Sequence, residues 1–324
     1  MTTFKEIRGT TIESVSSDPT NPEIGQIWYN NTIGVLKGYQ LANVNAWASG
    51  GNLNTARSTG GSTGTQTASL LAGGYAGPLS TTATEKYDGT SWTNSGNMGT
   101  SRYGQRAFGI QTAAIAAGGL NPGGNVASSE SFNGSTWTST PSLNTGSYYA
   151  SSAGTQTAGL IFGGAAPPTT AMESWNGSTW TTSPASLNTA RDSANNGCVG
   201  TQTATLIFGG TPPITAATES YNGISWTTVN SMNTARQTLA GAGIQTSALA
   251  MGGNLAPPIT GATELYNGTS WSTNTSMSTA RTNLSGSGAN NTAGLVAGGE
   301  TPSISNLTEE FTGGTLTTKT ITTS

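Results

Sequence analysis

The chain has 324 residues, 33% of them hydrophobic and only 8% charged, where about 25% charged is usual. Its formal net charge is −3 with 11 basic residues, which argues against the basic stripe that nucleic acid requires. There is no histidine and one cysteine, Cys198, so a Ser-His-Asp triad, an imidazole metal site and an intrachain disulfide are excluded. Low charge is not disorder here, because disorder combines low hydrophobicity with high net charge. The polar mass is Thr, Ser, Asn and Gly, which suits turns and strands.

Taken from the N-terminus, residues 1–46 form an arm. No run of 18 apolar residues occurs, so no membrane insertion is expected. No apolar leader precedes Asp18, so no signal peptide is expected. The first seventeen residues, with Phe4 and Ile7 as their apolar anchors, read as a strap that orders against another subunit. Ser16-Ser17-Asp18-Pro19-Thr20-Asn21-Pro22 is a turn-rich linker. The stretch from Gly25 to Lys37 then reads as a hairpin whose aromatic strand carries Trp28 and Tyr29. Phe4, Ile7, Trp28 and Tyr29 are the candidate attachment residues.

Residues 47–324 repeat. Double glycines begin at Gly73, Gly118, Gly163, Gly209, Gly252 and Gly298, with spacings of 45, 45, 46, 43 and 46. Trp47, Trp92, Trp137, Trp180, Trp226 and Trp271 keep the same interval, and Leu316 stands where the next would fall. Each unit opens on a segment such as Leu53-Asn54-Thr55-Ala56-Arg57 and passes through a small-residue segment to Gln-Thr. It then rises through an apolar run into Gly-Gly and closes on Glu-x-aromatic-Asn/Asp-Gly and Trp-Thr. The apolar run fits a strand buried on both faces. Asn-Gly and Asp-Gly predict tight hairpins with φ > 0 at both turn positions. Four short strands per unit at constant spacing predict an all-β, six-bladed β-propeller of four-stranded antiparallel blades, plus the arm with its β-hairpin. Trp47 precedes the first full unit and is expected to complete the last blade. The alternative is that 315–322 fills that slot.

The repeated Arg57, Arg102, Arg191, Arg236 and Arg281, and the repeated Glu85, Glu130, Glu173, Glu219, Glu264 and Glu309, recur in step. Recurrence in every unit favours architecture over catalysis. Each Glu is expected to lie partly buried between blades, bonded to backbone N–H groups or to a repeat Arg. The Asn-Gly-Ser/Thr triplets at Asn133, Asn176 and Asn267 are explained by turn chemistry without glycosylation. With no cofactor or metal constellation, no enzyme is expected.

The part that varies is the loop after Gly-Gly. Its candidate binding residues are Tyr75, Leu79, Leu120, Pro167, Pro168, Pro212, Pro213, Ile214, Leu255, Pro257, Pro258, Ile259 and Ile304. Proline-stiffened apolar loops lower the entropy cost of binding. They are expected to share one face with the loops leading to the Arg segments.

The set of Arg, double glycine, aromatic and Trp resembles the kelch repeat, over roughly residues 52–316. Departures are Ser147 in the Arg position of the third unit, and Asn291 for Gln and Leu316 for Trp in the sixth. Asp18 through Lys37 resembles a segment at the front of bacteriophage tail-fibre and other virion proteins, of the form D-P-x-x-P-x-x-G-x-x-W-Y-N-x-T-x-x-x-L-K. That resemblance implies a virion structural protein assembled in the host cytoplasm. It would contact other virion subunits through the arm, form a homo-oligomer, and bind a host-surface glycan or protein through the loops. A capsid decoration protein and a cellular kelch scaffold are the alternatives.

Overall fold

The computed structural model describes residues 12–23, 25–41, 45–165, 167–192, 197–314 and 316–321. Among them the chain is all β, without helix, in eight sheets. It divides into two compact units, Trp47–Thr312 and the pair of segments Met1–Ala46 and Gly313–Ser324.

The larger unit holds six four-stranded antiparallel sheets, numbered here 1 to 6 in chain order. Sheet 1 takes Gly61–Thr65, Ala68–Ala72, Thr84–Tyr87 and Trp92–Asn94 as its first to fourth strands. Sheets 2 to 5 repeat this order, with first strands at Arg106–Ile110, Ser151–Thr155, Cys198–Thr201 and Ala240–Ile244. Second strands such as Ala158–Phe162 are buried on both faces. Sheet 2 carries an added two-stranded sheet, Leu120–Asn121 with Gly124–Asn125.

Sheet 6 is built differently. Ser285–Asn290, Ala293–Ala297 and Thr308–Thr312 come from the end of the unit, and Ala46–Ser49 supplies the fourth strand. The expectation for Trp47 therefore holds over its alternative. Its ring lies 5.3 Å from that of Phe311. The segment Leu316–Thr320 pairs instead with Val35–Leu41 in the other unit.

The double glycines bond each sheet to the next. The second glycine's N–H donates to the carbonyl of the following unit's Arg position: Gly74 to Arg102 at 2.8 Å, Gly119 to Ser147 at 2.7 Å and Gly253 to Arg281 at 2.8 Å. Gly299 donates to Arg57 at 2.9 Å, so the sixth sheet is bonded to the first. Both glycines have positive φ, and a Cβ on Gly163 would lie 2.8 Å from the Arg191 carbonyl. Only glycine tolerates that conformation and that approach. All six first strands line one cavity of about 210 Å³. Its lining is Gly, Ala and Ser for the most part, as convergence of six strands requires. The arrangement is compatible with a β-propeller.

The smaller unit is one four-stranded sheet, ordered Glu13–Val15, Ile27–Asn30, Val35–Leu41 and Leu316–Thr320. The expected hairpin is present, with Trp28 opposite Lys37.

Candidate functional site

The repeated charges come first, because they set what is left to do other work. Arg57, Arg102, Arg191, Arg236 and Arg281 pair with Glu85, Glu130, Glu219, Glu264 and Glu309, at 2.6 Å for Arg102–Glu130 and 3.1 Å for Arg236–Glu264. Every member of these pairs is at most 4% exposed. The glutamates are thus fully rather than partly buried, and they use both kinds of expected partner. Glu85 also accepts the N–H groups of Asn54 at 2.7 Å and Thr55 at 3.2 Å. Each guanidinium donates to at least two backbone carbonyls as well: Arg281 to Gly298 at 2.9 Å and Leu307 at 2.7 Å. These bonds offset the cost of burying the pair, although the Nε of Arg102, Arg191, Arg236 and Arg281 is buried without a hydrogen-bond partner. Burial pushes the Arg236 guanidinium down to about 10, and Glu264 pulls it back up.

Polar side chains also join neighbouring sheets. The turn glutamine donates to the carbonyl of the preceding sheet's aromatic, as Gln156 does to Phe132 at 2.6 Å. Asn291, one methylene shorter, still reaches Tyr266 at 2.9 Å. The tryptophan indoles donate across the same boundary: Trp137 to Thr84 at 3.0 Å, Trp180 to Ser129 at 3.2 Å, and Trp47 to Thr263 at 3.2 Å. Trp226 has no partner, because Met172 occupies the position that carries a hydroxyl in the other sheets.

The hairpin expectation needs correction. Gly134 has φ of 96° but Asn133 does not join it in the left-handed region. Its side chain instead accepts the N–H groups of Ser135 at 3.0 Å and Thr136 at 2.9 Å. Strand Ser129–Phe132 ends and Trp137–Thr140 begins four residues apart, so the loop is longer than the two-residue turn that Asn-Gly signals. Asn176 and Asn267 act likewise.

In all six sheets the residue after Gly-Gly bridges to the residue after the Arg position, from Ser58 with Tyr75 to Thr282 with Glu300. The variable loops and the Arg segments therefore lie side by side. Leu79 is 61% exposed. Pro167, Pro212, Pro213, Pro257 and Pro258 are exposed, whereas Tyr75, Leu120, Pro168, Ile214, Leu255, Ile259 and Ile304 are half-buried. Tyr75 packs on Tyr103 at 5.7 Å. At the opposite ends of the strands stand three exposed isoleucines that sequence reasoning passed over, Ile110, Ile224 and Ile244. The signal was present: Ile224 follows Asn222-Gly223 where units 1, 2, 3 and 5 have Ser or Thr.

In the smaller unit, Tyr29 is 41% exposed, but Trp28 is fully buried and so is corrected from attachment residue to core residue. Phe4 and Ile7 lie outside the described residues. Asp18 accepts from Trp28 at 3.1 Å, Asn30 at 2.9 Å and Lys37 at 2.6 Å. These are residues of the Asp18–Lys37 motif, gathered on one carboxylate. Lys37, then Asn30 and Trp28, lower the Asp18 pKa to about 2.

One cavity stands apart from the repeats. About 290 Å³ in volume, it lies in sheet 3 beneath Pro167 and Pro168, with Ser147 and Glu173 on its wall. Burial raises the Cys198 thiol pKa, and its sulfur bonds to the Ser152 backbone, which makes it a poor nucleophile. Among the described residues no three His, Cys, Asp or Glu side chains are grouped to hold a metal. A scan against protein-family models finds no matching family, and a search of curated proteins finds no match.

Proposed function

We propose that the chain is a non-enzymatic virion protein, a tail fibre or surface appendage. In this reading its larger unit is a six-bladed, kelch-like propeller that binds through the loops after Gly-Gly. One observation carries the binding reading. The recurring Arg, Glu and Gln side chains, and the Trp side chains other than Trp226, are spent on internal bonds. The non-repeating, proline-stiffened loops remain as the exposed variable surface, with Leu79 and five of the candidate prolines exposed. A surface held rigid before contact loses little entropy on binding.

The virion assignment rests on the resemblance of Asp18–Lys37 to front segments of phage structural proteins. The convergence of Trp28, Asn30 and Lys37 on Asp18 supports it by giving the motif a physical purpose. Other virion subunits are the expected partners of the arm, and a host-surface glycan or protein that of the loops.

The test is immunogold labelling of particles from the source with antiserum to the recombinant chain. Label on tails or appendages is expected. Label confined to capsids would transfer the reading to a decoration protein, and unlabelled particles would overturn it.

A further inference from the structure

Five sheets place a guanidinium against three fixed acceptors. These are the glutamate carboxylate, the carbonyl of the first glycine, and the carbonyl two residues before the glutamate. In sheet 1 they are Glu85, Gly73 and Ala83; in sheet 5 they are Glu264, Gly252 and Ala262. In sheet 3 the Arg position is Ser147. The acceptors remain, as Glu173, Gly163 and Ala171, and all three line the 290 Å³ cavity.

The carboxylate is held in place without its cation. Glu173 accepts the N–H groups of Asn144 at 2.8 Å and Thr145 at 3.0 Å, and the Asn144 amide at 3.0 Å. It is 9% exposed, and among the described residues no cation pairs with it. The Ser147 hydroxyl is buried with no hydrogen-bond partner. Ala171 is exposed, whereas its counterparts Ala83, Ser128, Ala217, Ala262 and Leu307 are half-buried. The sheet 3 position is therefore more exposed at Ala171 than its counterparts are, while the Ser147 hydroxyl and Glu173 stay buried within it.

We propose that this cavity is a binding site for a guanidinium group supplied from outside the chain, an arginine side chain or a small guanidinium compound. In sheet 1 one guanidinium nitrogen serves both carbonyls and the other serves the carboxylate, a two-nitrogen fork that the single nitrogen of an ammonium does not reproduce. The same chain shows that geometry five times over. Pro167 and Pro168 line the cavity, which places it at the variable-loop end of sheet 3. The site's chemistry does not depend on the virion reading and stands or falls separately from it.

The test uses the full chain and isothermal titration with N-acetyl-arginine amide, its lysine counterpart and a Gly-Gly-Arg-Gly-Gly peptide. Saturable binding of the arginine compound at a single site is expected, with the lysine compound at least about tenfold weaker. Ser147→Arg places an internal guanidinium on Glu173. It should raise the melting temperature and weaken arginine binding by about tenfold or more. Glu173→Gln should lose binding likewise, and Ser147→Arg keeps the test valid if that variant folds poorly. Peptide binding as tight as that of the amide points to an arginine on a partner protein. Binding of the amide alone points to a small ligand. Absence of saturable binding, or unchanged binding by Ser147→Arg, would overturn the proposal.

Discussion

Sheets 3 and 6 each depart from the common pattern, and in opposite ways. Sheet 6 has no fourth strand of its own, yet Ala46–Ser49 restores it down to the indole bond of Trp47 to Thr263 at 3.2 Å. Sheet 3 has all four strands but lacks its arginine, and its Met172 leaves Trp226 without an acceptor. A missing strand exposes a row of backbone donors and acceptors, an open edge that invites misassembly. A missing side chain exposes a few polar atoms, which water or a ligand can satisfy. The backbone gap is filled by the chain, and the side-chain gap is left open.

Breaking sheet 6 should have the largest effect. Removing residues 1–50 takes its fourth strand and the ring that packs on Phe311. A fall in melting temperature of at least about 10 °C is expected, corresponding to several kcal/mol in a unit of this size. Removing only residues 1–44 keeps Ala46–Ser49 and should move the larger unit's transition little. Equal effects in calorimetry would refute the assignment of that strand.

Next come the carboxylates. Glu264→Gln strands a buried Arg236 and should cost about 3–5 kcal/mol in denaturant unfolding. Glu173→Gln strands no arginine and loses only charge-assisted bonds to Asn144 and Thr145, so about 1–2 kcal/mol is expected. If the two cost the same, sheet 3 is not the exception described.

Smaller still is Thr84→Val, which leaves the Trp137 indole in the condition of Trp226. A loss of about 1 kcal/mol is expected at unchanged shape.

The smallest effect belongs to Asp18, whose carboxylate is solvent-accessible. Its folded pKa of about 2 lies below its ordinary value of 3.8. Its contribution is therefore full above pH 4 and is lost as pH falls through 2. The Trp28 indole proton resonance should shift over that window, and Asp18→Asn should abolish the shift.

Much of this was legible in the sequence because a repeat multiplies a weak local signal six times. The strand order, the pairing of Arg with Glu, and the completion of sheet 6 by Trp47 all follow from the period. The depth of burial of the glutamates did not follow, because it depends on how the opening segment of the unit folds back, as Asn54, Thr55 and Arg57 do over Glu85. The loop conformation at Asn133 was missed for a related reason. Asn-Gly fixes the glycine's φ, but the Asn133 side chain also accepts from the N–H groups of Ser135 and Thr136, which holds two more residues in the loop. Ser147 was visible as a departure, yet a cavity is a property of what fails to fill a volume. The path of Leu316–Thr320 to Val35–Leu41 was likewise invisible, since Leu316 keeps the interval of the tryptophans while pairing elsewhere.

The donated strand of sheet 6 also has a consequence in time. Trp47 finds its hydroxyl acceptor 216 positions further along the chain. During synthesis, sheets 1 to 5 can form as each emerges, but the seam between first and last must wait until Thr308–Thr312 has been made. Long-range closure of this kind is slow. The order of assembly is thus written into the connectivity, with the first strand of sheets 1 to 6 to be translated kept waiting for the last.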